Sequence, residues 1–147
     1  MKQEDKELLL KDLCVRLPYG VKLHVKGEYH KYHKLSSVDV DAELIYYFEG
    51  LNLCDQWFGN CKPYLRPMSS MTDEEKKEMH NLLSPEGSAI YGYDGISMPM
   101  NHYGEFVSYG FMNRIIQYLL ENHFDFMGLI PKGLAIEVTE ENNPYKE

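Results

Sequence analysis

The sequence predicts an α+β protein: a mostly antiparallel sheet of about four or five strands, packed against an N-terminal helix and a long C-terminal helix. Three observations predict it. Apolar residues recur at helical spacing near both ends of the chain, over residues 3–17 and 105–123. Residues 38–48 alternate with period two: Val38, Val40, Ala42, Leu44, Tyr46 and Phe48 fill the even positions, and Asp39, Asp41 and Glu43 the first odd ones. Between these segments, Gly, Pro, Asn and Asp cut the chain into short pieces that suit strands and turns.

Taken in order, residues 3–17 read as a helix with acids early and Lys and Arg later. Its stripe holds Leu8, Leu9, Asp12, Leu13 and Arg16. Leu17-Pro18-Tyr19-Gly20 stops it, because proline disfavours helix at the residue before it. Val21, Leu23 and Val25 then alternate with Lys22, His24 and Lys26 as a half-buried strand, and Gly27-Glu28 turns the chain. The alternation over 38–48 predicts one strand with its even side chains inward. Residues 53–58 predict the next strand, Gly59-Asn60 a turn, and 61–65 a short return strand in which Pro63 belongs at an edge or end. Thr72-Asp73-Glu74-Glu75 is a capping box opening a polar helix to about Leu83. Residues 84–104 are rich in Gly, Pro and Tyr, with short strands expected around 89–91. Residues 105–123 form the widest apolar stripe, residues 134–138 suit a last strand, and the polar tail from about 139 is expected to fray.

Composition narrows the function classes. The 147 residues fit one domain, 1–147, with no linker or repeat. The net charge of −8 repels phosphate backbones and argues against general nucleic-acid binding. Lys22, Lys26, Lys31 and Lys34 are the one basic concentration, and fit a solvated edge strand. Cys14, Cys54 and Cys61 are odd in number and lack a CxxC, so three free thiols in a reducing compartment are expected, with Cys14 and Cys54 buried. The charged start is followed by no apolar signal-peptide segment, and no apolar run approaches the roughly 18 residues of a membrane span. A cytoplasmic, soluble protein without a cofactor is the resulting expectation.

The chemistry-bearing groupings are sparse. His30 and His33, with Asp39 or Asp41, offer imidazole and carboxylate ligands for a metal; against this, positions three apart on a strand face opposite ways. Arg66, Ser69 and Ser70, beside Tyr64 and ahead of the capping box, suit an anion at a helix start, although the acids there already answer the dipole. Tyr91, Tyr93 and His102, with Tyr103 and Tyr109, suit stacking on a planar ligand or a partner, or simply a loop packed on the sheet. No nucleophile elbow, phosphate-binding loop or cysteine-protease pattern is present.

Three segments, residues 12–21 (DLCVRLPYGV), 62–75 (KPYLRPMSSMTDEE) and 122–135 (NHFDFMGLIPKGLA), resemble a group of uncharacterised small proteins from phages and prophages of gut bacteria. The resemblance covers about 40 of the 147 residues and brings no activity or catalytic residue with it. It implies a mobile-element product acting inside a bacterial host cell. With the absent motifs, it favours a non-enzymatic accessory binding protein that engages a host protein or sequesters a small ligand. The alternatives are a small metal-assisted hydrolase and an acidic mimic of nucleic acid.

Overall fold

The first helix, α1 (Gln3–Arg16), forms where its spacing predicts, with Glu4 and Asp5 in the first turn and Arg16 in the last. A computed structural model describes residues 1–28, 32–83, 89–93, 96–100 and 109–146. Pro18 turns the chain into a 3-10 segment, Leu17–Tyr19, and Gly20 ends it in the left-handed region at φ 67°. The chain then enters β1 (Lys22–Val25), and β2 (His33–Asp39), β3 (Leu44–Glu49), β4 (Asn52–Trp57) and β5 (Cys61–Leu65) follow. The fold is α+β, and two strands, β6 (Ala89–Tyr93) and β7 (Ile96–Met100), pair antiparallel in the stretch where short strands were expected.

The sheet is larger than expected and mixed. Its order is β4-β3-β2-β1-β5-β8, and the last pairing, of Tyr64 and Leu65 with β8 (Ile136–Glu137), is parallel. Pro63 therefore sits in an interior strand. The alternation of the ladder explains why it is tolerated. Lys26 N–H bonds to Asn60 O, so the pair Leu23–Pro63 is a non-hydrogen-bonded one, and the missing N–H points toward the flank that β8 has not yet reached.

The strand expected over 38–48 is two strands and a turn. Asp39 Oδ1 accepts the Ala42 N–H at 2.9 Å, and Glu43 takes φ 56°, so the chain reverses between β2 and β3. This reversal inverts the parity. Val38 pairs with Ile45 and Asp39 with Leu44, so an even residue before the turn shares its face with an odd residue after it. Ile45 and Tyr47 are buried in the core; Leu44, Tyr46 and Phe48, expected inward, lie on the opposite face, and Val40 is exposed in the turn.

The chain divides into two compact units where the sequence shows no boundary: Met1–Pro67 with His123–Glu147, and Met68–Asn122. The first holds the six-stranded sheet. One face of that sheet closes on α1 through Leu9, Leu13, Leu23, Val25, Leu35, Ile45 and Tyr47, joined by Leu129, Leu134 and Ala135 from the C-terminal segment. The second holds α2 (Asp73–Leu83), α3 (Tyr109–Glu121) and the β6–β7 pair. The capping box forms as expected: Thr72 Oγ1 accepts the Glu75 N–H at 3.1 Å, and Glu75 Oε2 accepts the Thr72 N–H at 2.8 Å. The Tyr118 hydroxyl of α3 reaches Glu78 Oε2 of α2 at 3.2 Å. Within the second unit, α3 thus packs on α2. The expected extension of that helix over 105–108 lies outside the described residues. The tail does not fray: Tyr145 stacks on His123 with ring centres 3.8 Å apart. Among the described residues, no helix is long and apolar enough to cross a membrane.

Candidate functional site

The residues singled out for a metal are not gathered. His30 lies outside the described residues. His33 is buried at the start of β2, where its ring meets Tyr47 at 4.6 Å between centres. Asp39 ends the same strand, about 20 Å further along at the usual rise per residue, and its carboxylate is used by the turn. Asp41 is exposed within that turn and does not share a strand face with Asp39. Among the described residues, no three His, Cys, Asp or Glu side chains stand where they could share a metal ion.

The residues of the anion grouping fall in both units. Tyr64 and Arg66 belong to the first unit; Ser69 and Ser70 form part of a 3-10 turn, Met68–Ser70, in the second. The side chains of Tyr91 and Tyr93, and all of His102, lie outside the described residues. Cys14 is exposed, not buried as expected; Cys54 is half-buried, and only Cys61 is enclosed, its thiol pushed up to about 12 by burial.

What the fold does assemble is a buried polar cluster that the sequence reading missed. Arg16 and Asp12, four apart on α1, are both wholly enclosed. Arg16 Nε donates to Asp12 Oδ2 at 2.7 Å, and Nη2 donates to the Phe124 carbonyl at 2.8 Å. The same guanidinium lies 5.5 Å from the centre of the Phe126 ring. Arg66 brings the end of β5 to this segment: its N–H donates to His123 O and its carbonyl accepts the Asp125 N–H, each at 2.8 Å. Its guanidinium stacks 4.2 Å from the centre of the Phe124 ring. Asp125 accepts the N–H groups of Leu129 and Ile130, both at 2.8 Å, and so closes the turn that follows. Residues 12–21, 62–75 and 122–135 all contribute here: Arg16 from the first stretch, Tyr64 and Arg66 from the second, His123 to Ile130 from the third.

Tyr145 completes the cluster. Its hydroxyl donates to Tyr64 O at 2.8 Å and accepts the Lys22 N–H at 3.1 Å. The register places Lys22 opposite Tyr64, so the phenol oxygen is spliced into the ladder where β1 and β5 part. Burial raises the Asp12 carboxyl above its usual range, with Arg16 acting against the rise. Burial lowers His123 to about 4, aided by the positive charges of Arg16, Arg66 and Lys22. Asp12 Oδ1, Arg16 Nη1 and His123 Nδ1 are buried without a hydrogen-bond partner among the described residues. Enclosure this complete leaves a substrate no approach to Arg16 or Asp12. The cluster fastens α1, β5 and the C-terminal segment together.

The exposed chemistry lies on the other face of the sheet. Opposite residues of antiparallel strands share a face, which puts Leu44 beside Trp57, Tyr46 beside Asp55 and Phe48 beside Leu53. Phe48 is 53% exposed, Leu53 57%, Trp57 41%, and Leu51 at the connecting turn 99%. β4 is an edge strand of the sheet. The Trp57 ring lies over Gly59, where an added Cβ would come within 2.2 Å of it. Trp57 Nε1 donates to Glu43 Oε2 at 3.4 Å, which holds the indole on this surface. Asp39 and Asp55 stand on the same face, with Asp41 in the adjoining turn. No family model, curated protein or solved structure matches the chain.

Proposed function

We propose that this is a binding protein whose open sheet face, formed by β2, β3 and β4, docks a protein partner. One observation carries the reading: Leu44–Trp57, Tyr46–Asp55 and Phe48–Leu53 are successive cross-strand pairs on one face of the sheet, where Phe48, Leu53 and Trp57 are exposed, with Leu51 exposed at the connecting turn. Apolar side chains scattered singly on a surface are ordinary, but a contiguous group with aromatic members is the mark of an interaction site. The acids on and beside this face, Asp39, Asp41 and Asp55, favour a partner with a basic rim around an apolar anchor. A flat apolar surface of this kind favours a protein over a small ligand as the main partner. The resemblance to phage and prophage proteins supports a protein of the bacterial host as that partner.

The test is site-specific photocrosslinking. A photoreactive phenylalanine analogue at Leu53 is expected to capture one discrete partner in host cells. The same analogue at Val15, an exposed position on α1, is expected to capture none. Equal capture from both positions, or crosslinks only to a second copy of the chain, would overturn the reading.

A further inference from the structure

A cavity of about 290 Å³ opens between the 3-10 turn and the sheet, lined by Leu17, Lys34, Leu35, Ser36 and Phe48. We infer that it binds a small amphipathic anion: a carboxylate carried on a single ring or a short acyl chain. The inference goes beyond the docking of a protein and does not depend on it, although Phe48 borders both places.

The turn motif builds the cavity. Pro18 sets the 3-10 turn that brings Leu17 to the wall, and Gly20 follows at φ 67°. The Lys34 side chain runs past Gly20, its Cε 3.2 Å from where a Cβ would stand. A larger residue at 20 would be strained and would crowd the lysine. The irregularity of β2 between Leu35 and Ser37 lies at Ser36, the other polar group of the lining. The chemistry is therefore divided: Leu17, Leu35 and Phe48 give apolar surface, Lys34 an ammonium and Ser36 a hydroxyl.

Two independent observations call for an anion. Neither Lys34 nor Ser36 makes a side-chain hydrogen bond or ion pair with the described residues. Lys22 stands directly opposite Lys34 across β1 and β2, on the same sheet face. Like charges in that relation repel, and Lys22 is turned toward the Tyr32 ring, its ammonium 5.7 Å from the centre. Lys34 is exposed to water, and a carboxylate there would relieve the repulsion and give its ammonium a charge-assisted hydrogen bond. Size sets the rest of the ligand. A closed apolar cavity of about 150 Å³ holds one benzene, so an open cavity of about twice that volume, part of it polar, has room for one ring with an acid arm.

The probes are phenylacetate, its neutral amide, and hexanoate, titrated into the full chain while backbone amide resonances are followed. Phenylacetate and hexanoate are expected to give saturable shifts at Leu17, Lys34 and Ser36, and the neutral amide at least about fivefold weaker binding, as expected for loss of one charge-assisted hydrogen bond. Lys34→Gln is expected to weaken phenylacetate by about the same factor, and Lys34→Arg to retain it. Val15→Ser, at an exposed position on α1, is expected to leave it unchanged, and because the titration contains no protein partner, failure here is distinct from failure of the protein-docking reading. Equal affinity for acid and amide, an unaffected Lys34→Gln, or no saturation would overturn the inference.

Discussion

Replacing Asp12 by Asn tests whether the buried cluster fastens the sheet unit. The substitution keeps the size of the side chain and removes its charge, leaving Arg16 wholly enclosed with its Nε facing a neutral group. Removing one partner of a buried ion pair costs about 3–5 kcal/mol, because the remaining charge has neither water nor counter-charge. For a chain of this length, about 2–4 °C of melting temperature goes with each kcal/mol, so a fall of about 6–20 °C is expected. Replacing both partners, Asp12→Leu with Arg16→Met, removes the desolvation cost together with the attraction. The direction of the Asp12 shift bears on the balance: its carboxyl is raised overall, so burial, with the repulsion of Asp125 beside it, outweighs what Arg16 returns. The double variant is therefore expected to lose only about 1–3 kcal/mol, the cost of leaving the Phe124 carbonyl unpaired. Urea unfolding of the wild type, Asp12→Leu, Arg16→Met and the double variant closes the cycle, with Asp12→Asn measured beside it. A double loss equal to the sum of the single losses would refute the coupling, and a fall below about 1 kcal/mol for Asp12→Asn would refute the fastening role.

Three further outcomes follow from the same geometry. His123 falls from 6.5 to about 4 on folding, so the unfolded chain binds the extra proton, and the stability the neutral ring gives is complete above pH 6.5 and lost as pH falls toward 4. His123→Asn tolerates the φ of 58° and should flatten that slope by about 1–2 kcal/mol, after allowing for the ring's partial exposure; an unchanged slope in urea melts from pH 7 to 4 would refute the assignment. Thiol alkylation followed by mass spectrometry should modify Cys14 first and Cys61 only on unfolding, since one is exposed and the other is enclosed with its thiol pushed up to about 12. Thr72→Ala should destabilise α2 by about 1 kcal/mol, read as faster amide exchange at Glu75 and Lys76, because it removes one half of the reciprocal cap.

The elements that could be read locally were read correctly. α1 needs only its stripe and the Pro18 stop, and α2 only its four-residue cap, so both appear where the sequence places them. What failed was the long alternation over 38–48, and it failed for a reason that period-two reasoning contains. A four-residue turn through 40–43 carries Val40 and Ala42 at the even positions, so the pattern runs on unbroken while the chain reverses. The Asx turn at Asp39 and the left-handed Glu43 decide the matter, and neither leaves a glycine or proline to mark the place. The last strand falls inside the expected 134–138, but β8 has only two paired residues, too few to announce that it runs parallel to β5.

The two candidate sites were hidden in different ways. The buried cluster had a visible sign: Asp12 and Arg16 stand within the apolar stripe of α1, beside Leu9 and Leu13, where two charges four apart must bury together or leave the core. Their partners, the Phe124 carbonyl and the Phe126 ring, lie more than a hundred residues away, and only the fold supplies them. The exposed face had the opposite problem. Phe48, Leu53 and Trp57 are the residues any sequence reading assigns to a core, so an apolar docking surface is indistinguishable from buried sheet until the parity of the hairpin is known. The inversion at residues 40–43 does two things at once. It seats Ile45 and Tyr47 against α1, and it turns Leu44, Tyr46 and Phe48 outward, so the one feature that defeats the sequence pattern also creates the face proposed for binding.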